Sequence, residues 1–174
     1  MIKRDKRASE TAPPGPTERR TSDRILIIEA RFYEDIADLL AAGAVAEIEA
    51  CGGEYERVSV PGALEIPQVL ASAVDAGVIP HSGTAGRFSG AVVLGCVIRG
   101  ETSHYDVVVD NANHWLMETA IRHGVPVGNG LLTVDTREQA LERARGGRDG
   151  KGGDAARACF ALIDIARRFQ EMGT

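Results

Sequence analysis

The chain has 174 residues, a formal net charge of −5, 44% apolar residues and 26% charged residues. That is the length of one folding unit with enough apolar side chains for a packed core, which excludes disorder of the whole chain. No apolar run approaches the roughly 18–20 residues that span a bilayer, and aromatic residues are only 5% in a chain of negative charge, so neither a membrane nor a nucleic acid is expected as a partner.

The charge is unevenly spread. Residues 1–24 carry seven bases and four acids, a net of +3 that leaves −8 on the remainder. The same segment holds Pro13, Pro14 and Pro16 and almost no large apolar side chains. It buries too little to offset its ordering entropy, so residues 1–23 are expected to form a mobile tail before a domain at 24–174. It lacks the apolar stretch of a secretory signal, and its four acids count against a transit peptide. A basic partner-binding arm and a functionless extension both stay open. Cys51, Cys96 and Cys159 are odd in number and form no Cys-x-x-Cys. They predict neither a disulfide framework nor a zinc site, and they favour a reducing, cytoplasmic compartment. Cys96 reads as a small core residue.

From residue 24 on, strand-like and helix-like segments alternate. Arg24-Ile-Leu-Ile-Ile-Glu29 is a short continuous apolar run, as in a strand buried on both faces. A helix follows with Ile36, Leu39, Leu40, Ala44, Ile48 and Cys51 on one stripe, stopped by Gly52-Gly53. Residues 56–60 form a second short strand ended by Pro61-Gly62, and 65–76 a short helix with Pro67 in its first turn. Residues 77–90 are rich in Gly, Ser and Pro and read as a surface loop. Residues 91–97 are a third buried strand. A helix over 107–123 places Val108, Ala112, Trp115, Leu116 and Thr119 on its core face, and Gly124 and Pro126 close it. Residues 127–134 form the fourth strand. Asp135-Thr-Arg-Glu138 then resembles a capping box with Asp135 as cap, opening a helix to about Arg145. A glycine-rich turn over 146–153 leads to a last helix with the stripe Ala158, Leu162, Ile165, Ala166 and Phe169. Four buried strands alternating with helices predict an α/β fold: a three-layer αβα sandwich on one four-stranded parallel sheet, flavodoxin-like.

Ligands of open α/β sheets bind outside the carboxyl ends of the strands. Four segments fall there, and all are polar or glycine-rich for places so close to a core. Phe32 follows the first strand and is either a core residue or a flat face for a planar ligand. Pro61-Gly62 lets backbone approach a ligand, and Glu65 either accepts hydrogen bonds from it or complements the helix dipole. Gly100-Glu-Thr-Ser-His104 offers free amides, two hydroxyls and an imidazole that can move protons near neutral pH. His104, Asp106 and His114 lack the one-face spacing of a helical metal pair, so no metal is expected. Gly128-Asn-Gly130 lies in the fourth strand. Gly150-Lys151 fails the phosphate-loop pattern at Arg145 and Gly152, and no Gly-x-Gly-x-x-Gly follows a strand. Arg143 and Lys151 flank one turn and suit a small phosphate, or are two solvated bases.

Phe32, Pro61-Gly-Ala-Leu-Glu-Ile-Pro67, Leu94-Gly-Cys-Val-Ile-Arg-Gly-Glu-Thr-Ser-His-Tyr-Asp106, Gly130-Leu-Leu-Thr-Val-Asp135, Glu138-Gln-Ala-Leu-Glu-Arg143 and Lys151-Gly152 occur in that order. Together they resemble the 6,7-dimethyl-8-ribityllumazine synthases of riboflavin biosynthesis, over about residues 24–170. The resemblance implies condensation of 5-amino-6-(D-ribitylamino)uracil with 3,4-dihydroxy-2-butanone 4-phosphate, giving the lumazine, phosphate and water without metal or organic cofactor. On it, Phe32 matches the aromatic that stacks on the pyrimidine. Ala63, Leu64 and Glu65 match the ribityl-holding segment, and Cys96, Val97 and Ile98 the segment beside the pyrimidine. Glu101 and Thr102 match phosphate-binding amides, His104 the catalytic proton donor, Arg143 the phosphate-binding arginine and Lys151 a nearby base. The resemblance also implies a homopentamer or multiples of it with sites between subunits, so Asn129, Arg143 and Lys151 come from the neighbour. Riboflavin synthase is a candidate partner. Asn129 stands where an aromatic is frequent and Leu64 where Phe is frequent. A non-catalytic flavin or lumazine binder on the same scaffold is the competing expectation. A flavodoxin-like electron carrier is disfavoured by the aromatic, rather than a hydroxyl-rich loop, after the first strand.

Overall fold

In a computed structural model, residues 23–79 and 86–173 are described. The tail expected over 1–23 lies outside them but for Asp23, as do residues 80–85 of the expected loop. The elements in chain order are β1 (Arg24–Ala30), α1 (Glu34–Ala50), β2 (Glu54–Val60), α2 (Ile66–Asp75), β3 (Gly90–Ile98), α3 (His104–His123), β4 (Val127–Val134), α4 (Arg137–Ala144) and α5 (Lys151–Met172). Short 3₁₀ turns at Ala63–Glu65 and Gly147–Asp149 precede α2 and α5.

The four strands form one all-parallel sheet in the order β2-β1-β3-β4. Because side chains alternate along a strand, Ile25 and Ile27 of β1 feed one core and Leu26, Ile28 and Ala30 the other. The first core is closed by α1, α4 and α5, the second by α2 and α3. This is the expected three-layer α/β sandwich. The strand order reverses direction between β1 and β3, and such a switch point leaves a crevice at the carboxyl ends.

The α1 stripe is buried as expected, with Leu39 half-exposed. Gly124 caps α3 in the left-handed conformation, its N–H bonded to the carbonyls of the last turn.

Several expectations need correction. The second strand begins at Glu54 and is not buried: as the outer strand of the sheet it exposes Glu54, Arg57, Val58 and Ser59. Charges on an outer strand discourage edge-to-edge pairing. The helix expected from 107 begins at His104, directly after Ser103, whose backbone is already helical. Trp115 is 53% exposed rather than core, and the inward face of α3 is Ala112, Leu116, Thr119 and Ala120. The cap of α4 is Thr136, whose hydroxyl accepts from the Gln139 N–H while the Gln139 side chain accepts from the Asp135 N–H. The box is thus shifted by one residue from Asp135/Glu138. The segment expected as loop over 77–90 sends Ile79 and Phe88 into the second core.

The largest correction concerns α5. Its helix includes Gly152 and Gly153, and its buried face is Ala155, Ala156, Cys159, Phe160 and Ile163. Leu162, Ile165 and Phe169, expected inside, are exposed. The reason is proximity. A Cβ built on Gly152 would lie 1.9 Å from the Leu40 carbonyl oxygen, and one on Gly128 the same distance from that of Ala155. Only small residues fit where the first turns of α5 meet α1 and β4, so Gly152 to Ala156 set the inward face, Phe160 and Ile163 continue it, and Leu162, Ile165 and Phe169 fall on the other side.

Candidate functional site

A cavity of about 400 Å³ opens at the carboxyl ends of the strands, with walls from the end of β3 and from the segments that follow β1, β2 and β3. Three chain segments build it.

The first is the β1–α1 junction. Arg31 donates its backbone N–H to the Val60 carbonyl at 3.0 Å, so the chain leaves the sheet tied to β2. Phe32 follows and is 72% exposed, its ring edge-on to Tyr33 with centroids 4.9 Å apart. The core reading of Phe32 is therefore excluded.

The second is Pro61-Gly-Ala-Leu-Glu65, where β2 ends and a helical turn begins. Gly62 is extended, and Glu65 folds its carboxylate back over it, 3.1 Å from where a Cβ would stand. A side chain at position 62 would crowd this carboxylate.

The third runs from Cys96 at the end of β3 to Val108 in α3. Arg99 holds its base. Its backbone N–H donates to the Val134 carbonyl, its guanidinium stacks 4.0 Å from the Tyr105 ring centroid, and it pairs with Asp106 and Asp135. The His104 N–H faces the Thr102 hydroxyl at 3.4 Å. Because α3 opens at His104, the amides of its first turn and the positive end of its dipole lie at the cavity. That arrangement suits a developing or bound negative charge. Burial pushes the Cys96 thiol up to about 11, a shift that Asp35 reinforces and Arg137 opposes. At neutral pH it is a neutral wall, not a nucleophile.

Of the residues expected at the site, Phe32, Ala63, Leu64, Glu65, Cys96, Val97, Ile98, Thr102 and His104 line this one cavity. Glu101 sits exposed between the lining residues Gly100 and Thr102. Asn129, Arg143 and Lys151 do not line it. Asn129 lies within β4, tied to α3: it donates to Asn113 Oδ1 at 3.0 Å and accepts the Leu131 N–H at 2.9 Å. Arg143 donates to the Gln139 carbonyl on its own helix, and Lys151 opens α5. The described lining includes no Lys or Arg. Tyr33, Tyr105 and Val108 are lining residues that the sequence reasoning missed. The spacing 104, 105, 108 marks one helix face and was the available signal.

The family model for 6,7-dimethyl-8-ribityllumazine synthase matches residues 22–167, which include every segment of this cavity. The chain belongs to that family. Among curated relatives, the 6,7-dimethyl-8-ribityllumazine synthase of Methylorubrum extorquens (strain PA1) is 48% identical over 165 residues, 95% of this chain and 93% of the relative. The synthase of Methylocella silvestris is 52% identical over 144 residues, 82% and 85% of the two chains. The 6,7-dimethyl-8-ribityllumazine synthase 1 of Rhodopseudomonas palustris is 48% identical over 146 residues, 83% and 86%. Membership in the lumazine synthase family implies small-molecule substrates and an oligomeric assembly. No helix among the described residues is long and apolar enough to cross a membrane.

Proposed function

We propose that the protein condenses 5-amino-6-(D-ribitylamino)uracil with 3,4-dihydroxy-2-butanone 4-phosphate to 6,7-dimethyl-8-ribityllumazine, the penultimate step of riboflavin biosynthesis. The observation that carries this reading is the meeting of Phe32, the Ala63–Glu65 turn and the first turn of α3 around one cavity at the sheet's switch point.

The chemistry needs these parts. Amine attack on the ketone gives a carbinolamine, which loses water to an imine. Loss of the C3 proton expels phosphate from C4, the enol so formed tautomerises to a second carbonyl, and the ribitylamino nitrogen closes the ring on it with loss of a second water. In this reading His104 gives and takes the protons of these steps, as an imidazole does well near neutral pH. Phe32 stacks on the pyrimidine. Glu65, with the backbone of Ala63 and Leu64, receives the ribityl hydroxyls. Val97 and Ile98 flank the heterocycle beside the inert Cys96 thiol. The amides around Glu101 and Thr102 hold the phosphate. Holding two substrates together supplies up to about 7–11 kcal/mol of the barrier reduction, so few catalytic side chains suffice.

The phosphate also needs cations, which the lining does not contain. We therefore infer a homopentamer, or multiples of it, in which Arg143, Lys151 and Asn129 of one subunit complete the neighbour's cavity. Support comes from the large exposed apolar side chains Trp115, Met117, Ile121, Leu162, Ile165 and Phe169 on α3 and α5. A groove between these two helices, closed at its end by residues 124–127, gathers several of them. Residues 24–174 form the catalytic unit in this reading, and residues 1–23 take no part in the chemistry. A cytoplasmic location and an encounter with riboflavin synthase, which consumes the product, belong to the same reading.

The test is to mix both substrates with the protein and follow lumazine absorbance. Acceleration over the spontaneous reaction is expected. Binding of lumazine with no acceleration would overturn the enzyme in favour of a non-catalytic binder.

A further inference from the structure

Phe32 is 72% exposed, and its one ring contact among those described is the edge of Tyr33. A side chain so little packed does not hold its own position, so the backbone on either side must. Glu29, three residues earlier, is only 2% exposed, an unusual burial for a carboxylate at a strand end. Its two oxygens accept four hydrogen bonds. Arg57 donates through Nε at 3.0 Å and Nη2 at 2.8 Å, Ser59 through its hydroxyl at 3.0 Å, and Arg31 through Nη1 at 3.2 Å. The second arm of Arg31 reaches Asp38 on α1 at 2.7 Å. Glu29 therefore joins β1 to β2 across the register pair Glu29–Ser59. Through Arg31, the residue directly before Phe32, it also joins both strands to α1. A buried carboxylate needs hydrogen-bonded partners to be stable, and the three bonds from Arg57 and Ser59 hold this one in a single orientation toward Arg31.

We propose that Glu29 is a positioning residue for the stacking face: it fixes Arg31, and through Arg31 the backbone that aims the Phe32 ring across the cavity. The consequence for substrate recognition rests on the reading of Phe32 as the pyrimidine platform given above.

The test uses Glu29→Gln and Arg31→Met in the full-length protein. The second variant cuts the same link but leaves Glu29 satisfied by Arg57 and Ser59, so it reports even if the first fails to fold. Both are expected to raise KM for the ribitylaminouracil roughly three- to tenfold, the range one aromatic contact is worth. KM for the butanone phosphate and kcat are expected to stay within about twofold, the signature of lost ground-state binding at one substrate. In a Phe32→Ala background either substitution should add little. An equal KM increase with and without Phe32, or a uniform fall in kcat, would assign Glu29 a merely structural role and overturn the proposal. A second readout needs no turnover. With Trp115→Phe removing the native indole, Phe32→Trp reports the mobility of that position by fluorescence anisotropy. Anisotropy should fall when Arg31→Met or Glu29→Gln is added, and an unchanged value overturns the proposal. An inactive parent protein whose anisotropy falls as expected would remove the enzymatic reading and leave the positioning role standing.

Discussion

The close approach of α5 to α1 makes a quantitative prediction for Gly152→Ala. The added Cβ would stand 1.9 Å from the Leu40 carbonyl oxygen and 2.8 Å from its carbon. Carbon-to-oxygen contacts in proteins settle near 3.3 Å, so α5 must retreat from α1 by roughly 1.4 Å. Neither side can yield locally, because the obstacle is helical backbone. The retreat strains the fastening of the turn before α5, where Arg148 and Arg157 both donate to the buried Glu47 carboxylate at 2.9 Å. Overpacking of a core costs about 1–3 kcal/mol and more where backbone must move, so a loss of about 3 kcal/mol is expected. For a domain of this size that lowers Tm by about 6–12 °C. The assay is thermal unfolding by circular dichroism at one fixed protein concentration, since an assembly's Tm depends on concentration. Gly100→Ala, where a Cβ meets nothing within 4 Å, is the control and should leave Tm unchanged. A Gly152→Ala protein as stable as its parent would refute the close-packing argument and, with it, the reason given for the outward turn of Leu162, Ile165 and Phe169.

Four further outcomes are expected. His104→Ala should lower kcat about 10²-fold with little change in either KM, the low end for a lost proton shuttle because positioning carries much of the rate. Mixed after dissociation with Arg143→Ala subunits, which should bind the butanone phosphate weakly, it should gain activity above that of either variant alone, and no recovery would place both residues in one subunit's site. Cys96 in the native protein should react with iodoacetamide at pH 8 roughly 10²-fold more slowly than in the denatured chain, since burial raises its pKa to about 11. Rapid native labelling, read by peptide mass, would contradict that burial. Glu29 supplies a pH dependence. Burial alone would raise its pKa, but the hydrogen bonds from Arg57 and Ser59 and the charges of Arg57 and Arg31 outweigh it and hold the carboxyl below its usual range. Its contribution to stability is therefore complete above the unfolded-state value of about 4.3 and lost as pH falls through the lower folded value. The urea midpoints of wild type and Glu29→Gln should converge as the pH falls below about 4.3. A gap that widens on acidification would reverse the assigned direction.

Much of the fold was legible because the central strands are continuous apolar runs and α1 carries one clean stripe. The misread faces share a cause. On α5 both faces are apolar, and hydrophobicity alone favours the larger side chains. Burial went instead to the face that begins with Gly152, Ala155 and Ala156, where backbone approaches closest, and continues with Phe160 and Ile163. Hydrophobicity alone likewise points Trp115 inward, whereas it is 53% exposed. The cap moved from Asp135 to Thr136 because two adjacent residues both had capping side chains and only the chain's exit from β4 chose between them. Nine candidate site residues converge on one cavity because they sit at strand ends, where topology alone brings them together. Nothing in the order of residues tells whether Asn129, Arg143 and Lys151 serve their own subunit or a neighbour. The Glu29 cluster was equally hidden, since its partners on β2 lie 28 and 30 residues away along the chain.

The all-parallel sheet also has a history within each molecule. β1 must find β3 across a gap in sequence of about 65 residues, and no hairpin in this topology can form first and guide it. Parallel pairing of this kind is slow to nucleate, because loop closure comes before any stabilising contact. Throughout that interval Gly90–Ile98, nine residues without a charge or a proline, is an uncovered segment of the sort that pairs between chains. The charges on β2 guard the finished edge of the sheet but not this inner strand. Refolding yield is therefore expected to fall steeply with chain concentration, even though the native molecule keeps that strand out of reach.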